Sequence, residues 1–195
     1  MRSVIAFFCA LLLLAVPAQA QTAEAQAFIA KNITIAFGML QDTGAPPAAR
    51  AQKLEAHLLT LTDLPRVAAF TLGSAQASPA QREAFGTAFR DYALATWRAQ
   101  FQMFQGGAMT VTGARENAPG DVVVRTALRD SSAAVIPVDF RVRIDGPHPL
   151  IIDIGLAGIW LTVTQRDDFA AVLARNGGDV DALTATLSAR TRGLR

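Results

Sequence analysis

Cysteine is almost absent from this 195-residue chain, in which Cys9 is the only one. A single cysteine can form neither an intramolecular disulfide nor a zinc site built from thiolates. Stability must therefore come from a packed core. The roughly 175 residues that follow the N-terminal segment are enough for one domain with such a core.

Side chains suited to catalysis are scarce as well. The chain has two histidines, His57 and His148, and neither stands at metal-ligand spacing from another histidine, cysteine or carboxylate. Neither a nucleophile-elbow motif nor a glycine-rich phosphate loop occurs. Asp167 and Asp168 would point about 100° apart on a helix, so they cannot act as an acid–base pair. We therefore expect no enzyme, no metal and no cofactor.

The chain also lacks an excess of charge of either sign. It has 18 Lys and Arg and 16 Asp and Glu, which gives a formal net charge of +2. This balance argues against nucleic acid as a partner and against strong attraction to an anionic bilayer. Basic residues do gather at Arg190, Arg192 and Arg195, where a solvated tail explains them.

The longest apolar run lies in the first twenty residues. Arg2 precedes the apolar stretch Val4–Val16, and Ala-Gln-Ala at 18–20 has the small residues that signal peptidase requires. The stretch is short for a transmembrane helix and no stop-transfer sequence follows it. We predict that residues 1–20 are a signal peptide, cleaved after Ala20, and that residues 21–195 are secreted as a single domain.

After this leader, apolar residues recur at three- and four-residue steps, the spacing of α-helices. The pattern predicts helices over Ala23–Leu40 and Ala48–Leu61, then a short helix between Asp63 and Gly73. A fourth helix begins at Ser78 and is rich in aromatic residues on one side: Phe85, Phe89, Tyr92, Phe101 and Phe104. Such a stripe usually belongs to a packed core, although it can also line an apolar cavity.

From Met109 the apolar period changes to two, which is typical of antiparallel strands with one solvated face. The clearest strands are Val122–Leu128 and Val138–Ile144, and Leu150–Leu156 is apolar on nearly every residue. Helical spacing returns from Thr162 onwards. Helices before and after about four strands predict an α+β fold, in which helices pack on one face of an antiparallel sheet.

Asp153 is the one charge within the apolar strand Leu150–Leu156. A buried carboxylate needs a positive partner or several hydrogen-bond donors. Arg166 lies on the helix that follows this strand and is the obvious partner. We predict a structural Asp153–Arg166 pair that fixes the junction between strand and helix.

Four short motifs are spread along the chain: V-A-A-F-T-L-G at Val67–Gly73, F-x-x-x-F-x-x-Y at Phe85–Tyr92, D-I-x-x-x-G-I-x-L at Asp153–Leu161 and Q-R-x-x-F at Gln165–Phe169. Together they resemble the MlaC family of phospholipid carriers. The resemblance implies a cone-shaped fold in the periplasm, a monomer, and phospholipid as cargo. It also implies two partners, an inner-membrane ABC transporter complex with its substrate-binding ring and an outer-membrane lipoprotein complex.

Proteins of this family hold acyl chains between the helices and the concave face of the sheet. Shielding lipid in this way is favourable because each methylene removed from water contributes about 0.8 kcal/mol. Strand alternation and the resemblance together predict lining residues on the fourth helix, the sheet and the following turn: Phe85, Phe89, Tyr92, Phe101, Val124, Val138, Phe140, Val142, Ile152, Ile154, Ile159 and Leu161.

Several positions depart from the family pattern. An aromatic residue is missing at Ser74–Gln76, Leu150 replaces a tryptophan, Trp160 replaces a small hydroxylated residue and Gln165 replaces a tyrosine. These changes leave the identity of the lipid open, and a hopanoid is an alternative cargo. If the core were filled, a protein-interaction adaptor would be favoured, and a small hydrolase or isomerase is a third alternative on this fold.

Overall fold

The computed structural model describes residues 18–100, 107–129 and 134–194. Its helices are α1 (Ala18–Gln41), α2 (Pro47–Leu61), α3 (Leu64–Leu72), α4 (Pro79–Gln100), α5 (Leu161–Arg175) and α6 (Val180–Gly193). Its strands are β1 (Ala108–Ala118), β2 (Asp121–Arg129), β3 (Val135–Arg143), β4 (Leu150–Leu156) and β5 (Ile159–Trp160). The strands form one antiparallel sheet in the order β1-β2-β3-β4-β5, which confirms the predicted α+β fold.

Helix α4 begins where the sequence predicts, because its first turn is capped by side chains. The backbone N–H of Gln81 donates to Ser78 Oγ at 3.2 Å, and the backbone N–H of Ser78 donates to Gln81 Oε1 at 3.0 Å. This reciprocal arrangement is a capping box. Helix α3 is capped by Asp63, whose Oδ1 accepts from the backbone N–H of Arg66 at 3.2 Å.

The central strands have one apolar and one polar side. The register places Phe140 opposite both Val124 and Ile154, so these three residues share the apolar side. On the polar side, Arg141 Nε donates to Asp121 Oδ2 at 2.9 Å. Burial raises the pKa of Asp121, but hydrogen bonds, chiefly from Arg141, outweigh it and hold this pKa below its ordinary value.

A bulge in β4 interrupts the predicted alternation. Arg141 lies opposite Asp153, but the next residue of β3, Val142, lies opposite Ile151, so Ile152 is the extra residue. Ile151 is 5% exposed and belongs to the same buried cluster as Val142, whereas Ile152 is only half-buried. The alternation that placed Ile152 beside Val142 is therefore wrong, and Ile151 takes that position.

Within the described residues, the buried apolar side chains form three clusters. The helical cluster joins α3, α4, α5 and α6 and includes Phe85 and Phe169. The sheet cluster joins α1 and the end of α2 to the strands and includes Val124. The junction cluster is smaller, contains Leu54 of α2, and has Trp97 of α4 packed against it. Helices α3 to α6 therefore pack mainly on one another, while α1 and the end of α2 pack on the sheet.

Candidate functional site

The aromatic stripe of α4 packs against other helices. The rings of Phe85 and Phe89 lie 6.0 and 6.3 Å from the ring of Phe169, both edge-to-face. They are 1% and 2% exposed, and within the described residues their cluster contains no strand residue. The prediction that Phe85 and Phe89 face the sheet is therefore wrong. Tyr92 packs at the edge of this cluster, and Phe101 lies outside the described residues.

One end of the apolar sheet side is closed by α1. Val122, Val124 and Val142 are each 0% exposed. They share the sheet cluster with Ala25 and Ile29 of α1, which are also buried. A side chain in contact with protein on all sides leaves no room for a ligand, so Val124 and Val142 belong to the core at this end.

The apolar side is most exposed along the end of β4 and in β5, whereas the neighbouring end of β3 is buried at Val138. Val138 is 5% exposed, Phe140 and Ile154 are half-buried, and Leu156 and Ile159 are 38% and 61% exposed. The register places Phe140 opposite Ile154, Leu156 opposite Val138, and Ile159 opposite Leu156, so they share one side of the sheet. We call Phe140, Ile154, Leu156 and Ile159 the open strip.

No described helix packs extensively on β3, the middle strand of the sheet. Helix α1 covers β1 and β2, while α3 and α5 contact β4. Helix α4 lies on α2, α3 and α6 instead. The open strip therefore lies where the described helices leave the sheet least covered, with Phe140 and Ile154 at the edge of the sheet cluster. An apolar surface of this kind suits an apolar ligand.

Two leucines of α2 pack with the sheet cluster, although neither was among the predicted lining residues. Leu61 is part of the sheet cluster, and Leu58 packs against both the sheet cluster and the junction cluster. Leu156 was missed as well, although it continues the alternation from Ile154. The three-residue step from Leu58 to Leu61 predicts that both leucines lie on one face of α2. The spacing does not predict which strand or helix that face packs against.

Asp153 has different partners from the predicted one. Its Oδ2 accepts from Thr162 Oγ1 at 2.6 Å, and its Oδ1 accepts from the backbone N–H groups of Thr162 and Ile154 at 3.1 and 2.8 Å. Asp153 is 6% exposed, so these donors compensate its burial. The predicted pair with Arg166 is wrong, because donors at the start of α5 already satisfy the carboxylate.

Arg166 lies on another surface of α5. Its guanidinium carbon is 5.2 Å from the centre of the exposed Phe70 ring, a cation–π contact. Its Nη2 lies 3.3 Å from the carboxylate of Asp167, and both side chains are largely exposed.

Leu161, at the start of α5, is 40% exposed and follows the open strip in sequence.

Trp160 faces away from the open strip. It pairs with Gly155, which itself pairs with Asp139 on the polar side of the sheet. A Cβ built on Gly155 would lie 3.2 Å from the Trp160 ring and 3.4 Å from Asp139 Cβ, so the glycine makes room for the indole. The tryptophan at position 160, where the family pattern has a small hydroxylated residue, therefore alters the polar side of the sheet and not the open strip.

The described residues contain no group of three or more His, Cys, Asp or Glu that could hold a metal ion. His57 on α2 has a buried Nε2 without a hydrogen-bond partner in this part of the chain. Burial lowers the pKa of His57.

A family model described as MlaC protein matches residues 31–189 of this chain. Among solved structures, the fold is similar to that of a phospholipid-binding protein from Ralstonia solanacearum in complex with a phospholipid. The two chains are 23% identical, with 88% of this chain and 98% of that one covered at a TM-score of 0.76. At that identity the likeness shows a shared fold. No curated protein matches this chain.

Proposed function

Because this chain belongs to the MlaC family, we propose that it is a phospholipid carrier of the periplasm and not an enzyme. The observation that carries the proposal is the open strip, an apolar surface on β3–β5 that the described helices leave largely uncovered. The bound phospholipid of the structurally similar Ralstonia protein supports the same ligand class. The acyl chains would lie along the open strip, with Val138, Leu58 and Leu161 beside them.

The proposed lining differs from the one drawn from sequence. Phe140, Ile154, Ile159 and Leu161 remain in it, and Leu156 and Leu58 join it. Val124, Val142, Phe85 and Phe89 would support the site as packed core, since each is 2% exposed or less. The roles of Tyr92 and Phe101 stay predictions. No cofactor enters this proposal, and lipid is the cargo.

Transport by this carrier would use two docking partners. We propose that a lipoprotein complex at the outer membrane and an ABC transporter complex with a substrate-binding ring at the inner membrane exchange phospholipid with the monomeric carrier. Family membership supports this scheme. Shielding the acyl chains is what makes such a route possible, because exposing two long chains to water is very costly.

The carrier would reach the periplasm through its leader. The apolar stretch Val4–Val16 lies outside the described residues, and cleavage after Ala20 stays a prediction. Within 18–100, 107–129 and 134–194, no helix is long and apolar enough to cross a membrane. Cell fractionation and the mass of the purified protein test this point, since the proposal requires a periplasmic chain that begins at Gln21.

Transfer between vesicles tests the proposed function itself. Donor vesicles carry a fluorescent phosphatidylglycerol, acceptor vesicles carry none, and the purified protein is added at increasing concentration. The proposal predicts a transfer rate that rises with protein concentration, and a protein–lipid complex that survives gel filtration. Ala174→Ser, on the exposed surface of α5, is the control variant and should transfer lipid as the wild type does. Transfer no faster than in buffer would contradict the proposal.

A further inference from the structure

Among the described residues, two of the joints between the helical cluster and the sheet differ in strength. The edge joint runs along β4: the backbone N–H of Asp63 donates to Ile151 O at 3.1 Å, and Thr162 donates twice to Asp153. The second joint lies between α2 and α4. There Glu55 forms an ion pair with Arg98, close to Leu54 and Trp97 of the junction cluster.

The ion pair of the second joint is bidentate. Arg98 Nε lies 2.6 Å from Glu55 Oε1, and Arg98 Nη2 lies 2.8 Å from Glu55 Oε2. The hydrogen bonds that Arg98 donates to Glu55 raise the pKa of Arg98. Glu55 is 8% exposed, whereas the side chain of Arg98 is 53% exposed, so water and salt reach the pair from one side.

The two joints differ in the interactions that must be broken to separate them. The edge joint includes backbone hydrogen bonds and a buried carboxylate, which are costly to separate. The α2–α4 joint has limited packing and one partly exposed ion pair, and such a pair separates readily. Leu58 of α2 packs against the sheet cluster, and so do Phe140 and Ile154 of the open strip. Movement of α2 away from α4 would therefore change how closely the helices cover this edge of the sheet.

We propose that the Glu55–Arg98 pair is a latch on lipid exchange, with the edge joint as its hinge. When the pair is closed, α2 stays against α4 and lipid on the open strip is retained. When the pair opens, lipid enters or leaves. The proposal rests on the proposed function and concerns the rate of exchange, whereas the open strip determines binding.

The test measures release of phosphatidylglycerol from loaded protein into vesicles of phosphatidylethanolamine and phosphatidylglycerol. We expect Glu55→Gln and Arg98→Gln each to speed release about two- to fivefold, the range that a partly exposed pair supplies. The double variant should be no faster than either single variant, because both remove the same contact. Added salt should speed the wild type and leave the double variant nearly unchanged.

Asp168→Asn is the matched control. It breaks another ion pair between helices, Arg190 with Asp168, in the α5–α6 part of the fold. It should lower thermal stability without changing the release rate. If all variants release lipid at the wild-type rate, the latch is overturned and the carrier stands. A wild type that takes up no phospholipid would overturn both. Should Glu55→Gln fail to fold, Arg98→Gln decides, because its side chain is largely exposed.

Discussion

At the residue scale, Asp153 shows how one carboxylate can hold a strand and a helix together. It accepts three hydrogen bonds, two of them from backbone N–H groups at Ile154 and Thr162. The residue thus satisfies donors at the edge of β4 and at the first turn of α5, where helical N–H groups have no partner of their own. Its side-chain partner is Thr162 and not the predicted Arg166, and its structural role stays a prediction.

Replacing Asp153 by alanine should therefore be strongly destabilising. We expect Asp153→Ala to lower the free energy of unfolding by about 2–4 kcal/mol, because buried donors lose a charged acceptor. Arg166→Gln should cost less than about 1 kcal/mol, since it removes an exposed cation–π contact. Urea unfolding of both variants measures the difference. Equal losses from the two substitutions would contradict the assignment.

His57 gives the fold a dependence on pH. Burial lowers its pKa in the folded protein, and its Nε2 has no hydrogen-bond partner in the described residues. As the pH falls below the unfolded value of about 6.5, the unfolded state takes up a proton that the folded state resists. The stability contributed by neutral His57 should therefore be fully present above about pH 6.5 and be lost as the pH falls below it, through the lowered pKa of the folded state.

The measurement is the urea midpoint at pH 7 and at pH 5. The drop between them should shrink in His57→Leu and persist in His148→Gln, because His148 lies in an exposed turn. A drop of the same size in His57→Leu would assign the pH dependence to other groups.

At the scale of single elements, the β4–β5 hairpin presents the most exposed part of the open strip. Its two-residue turn has left-handed backbone at both positions, with φ of 49° at Ala157 and 85° at Gly158. Positive φ at both central residues is typical of a type I′ turn, which matches the twist of the paired strands. Alanine is strained in this region, whereas glycine is not.

We therefore expect Ala157→Gly to raise the free energy of unfolding by about 0.5–1 kcal/mol, and Gly158→Ala to lower it by a similar amount. Thermal melts of the two variants measure both changes. The substitutions add or remove one methyl group at neighbouring turn positions, so each serves as the control for the other. A loss of stability in Ala157→Gly would show that the turn is not strained.

Most helix and strand positions could be predicted from the sequence because their signals are local. Ser78 and Gln81 meet within one helical turn, and the period of two in Val138–Ile144 needs no knowledge of the rest of the fold. Strand β5 was missed because two residues are too few to show a period. Ile152 was misplaced because nothing in the local pattern marks the bulge.

The candidate site was harder to predict than the fold, because its lining depends on which elements meet. The aromatic stripe of α4 is visible in the sequence, but its partner Phe169 lies eighty residues later on α5. The spacing of the aromatic residues on α4 is equally compatible with packing against a sheet and with packing against other helices. Asp153 shows the same difficulty. The sequence indicates that this carboxylate needs a hydrogen-bond partner, but only the geometry of the β5–α5 junction shows that the partner is Thr162 and not Arg166.

At the scale of the whole molecule, the proposed function depends on the contrast between the closed part of the sheet cluster and the open strip. Val142 lies in the closed part of the sheet cluster at 0% exposure, while Ile154 is half-buried on the open strip. Val142→Trp should overpack the core and lower the free energy of unfolding by about 1–3 kcal/mol or more. Ile154→Trp should cost less, because its larger side chain can occupy the space proposed for lipid.

The most direct test of lipid on the open strip is the lipid content of protein purified from the periplasm, measured by organic extraction and mass spectrometry. We predict about one phospholipid per wild-type molecule, and much less per molecule of folded Ile154→Trp. A hopanoid in the extract would replace phospholipid as the cargo. Wild type without extractable lipid, or Ile154→Trp with as much lipid as the wild type, would contradict the claim that the open strip binds it.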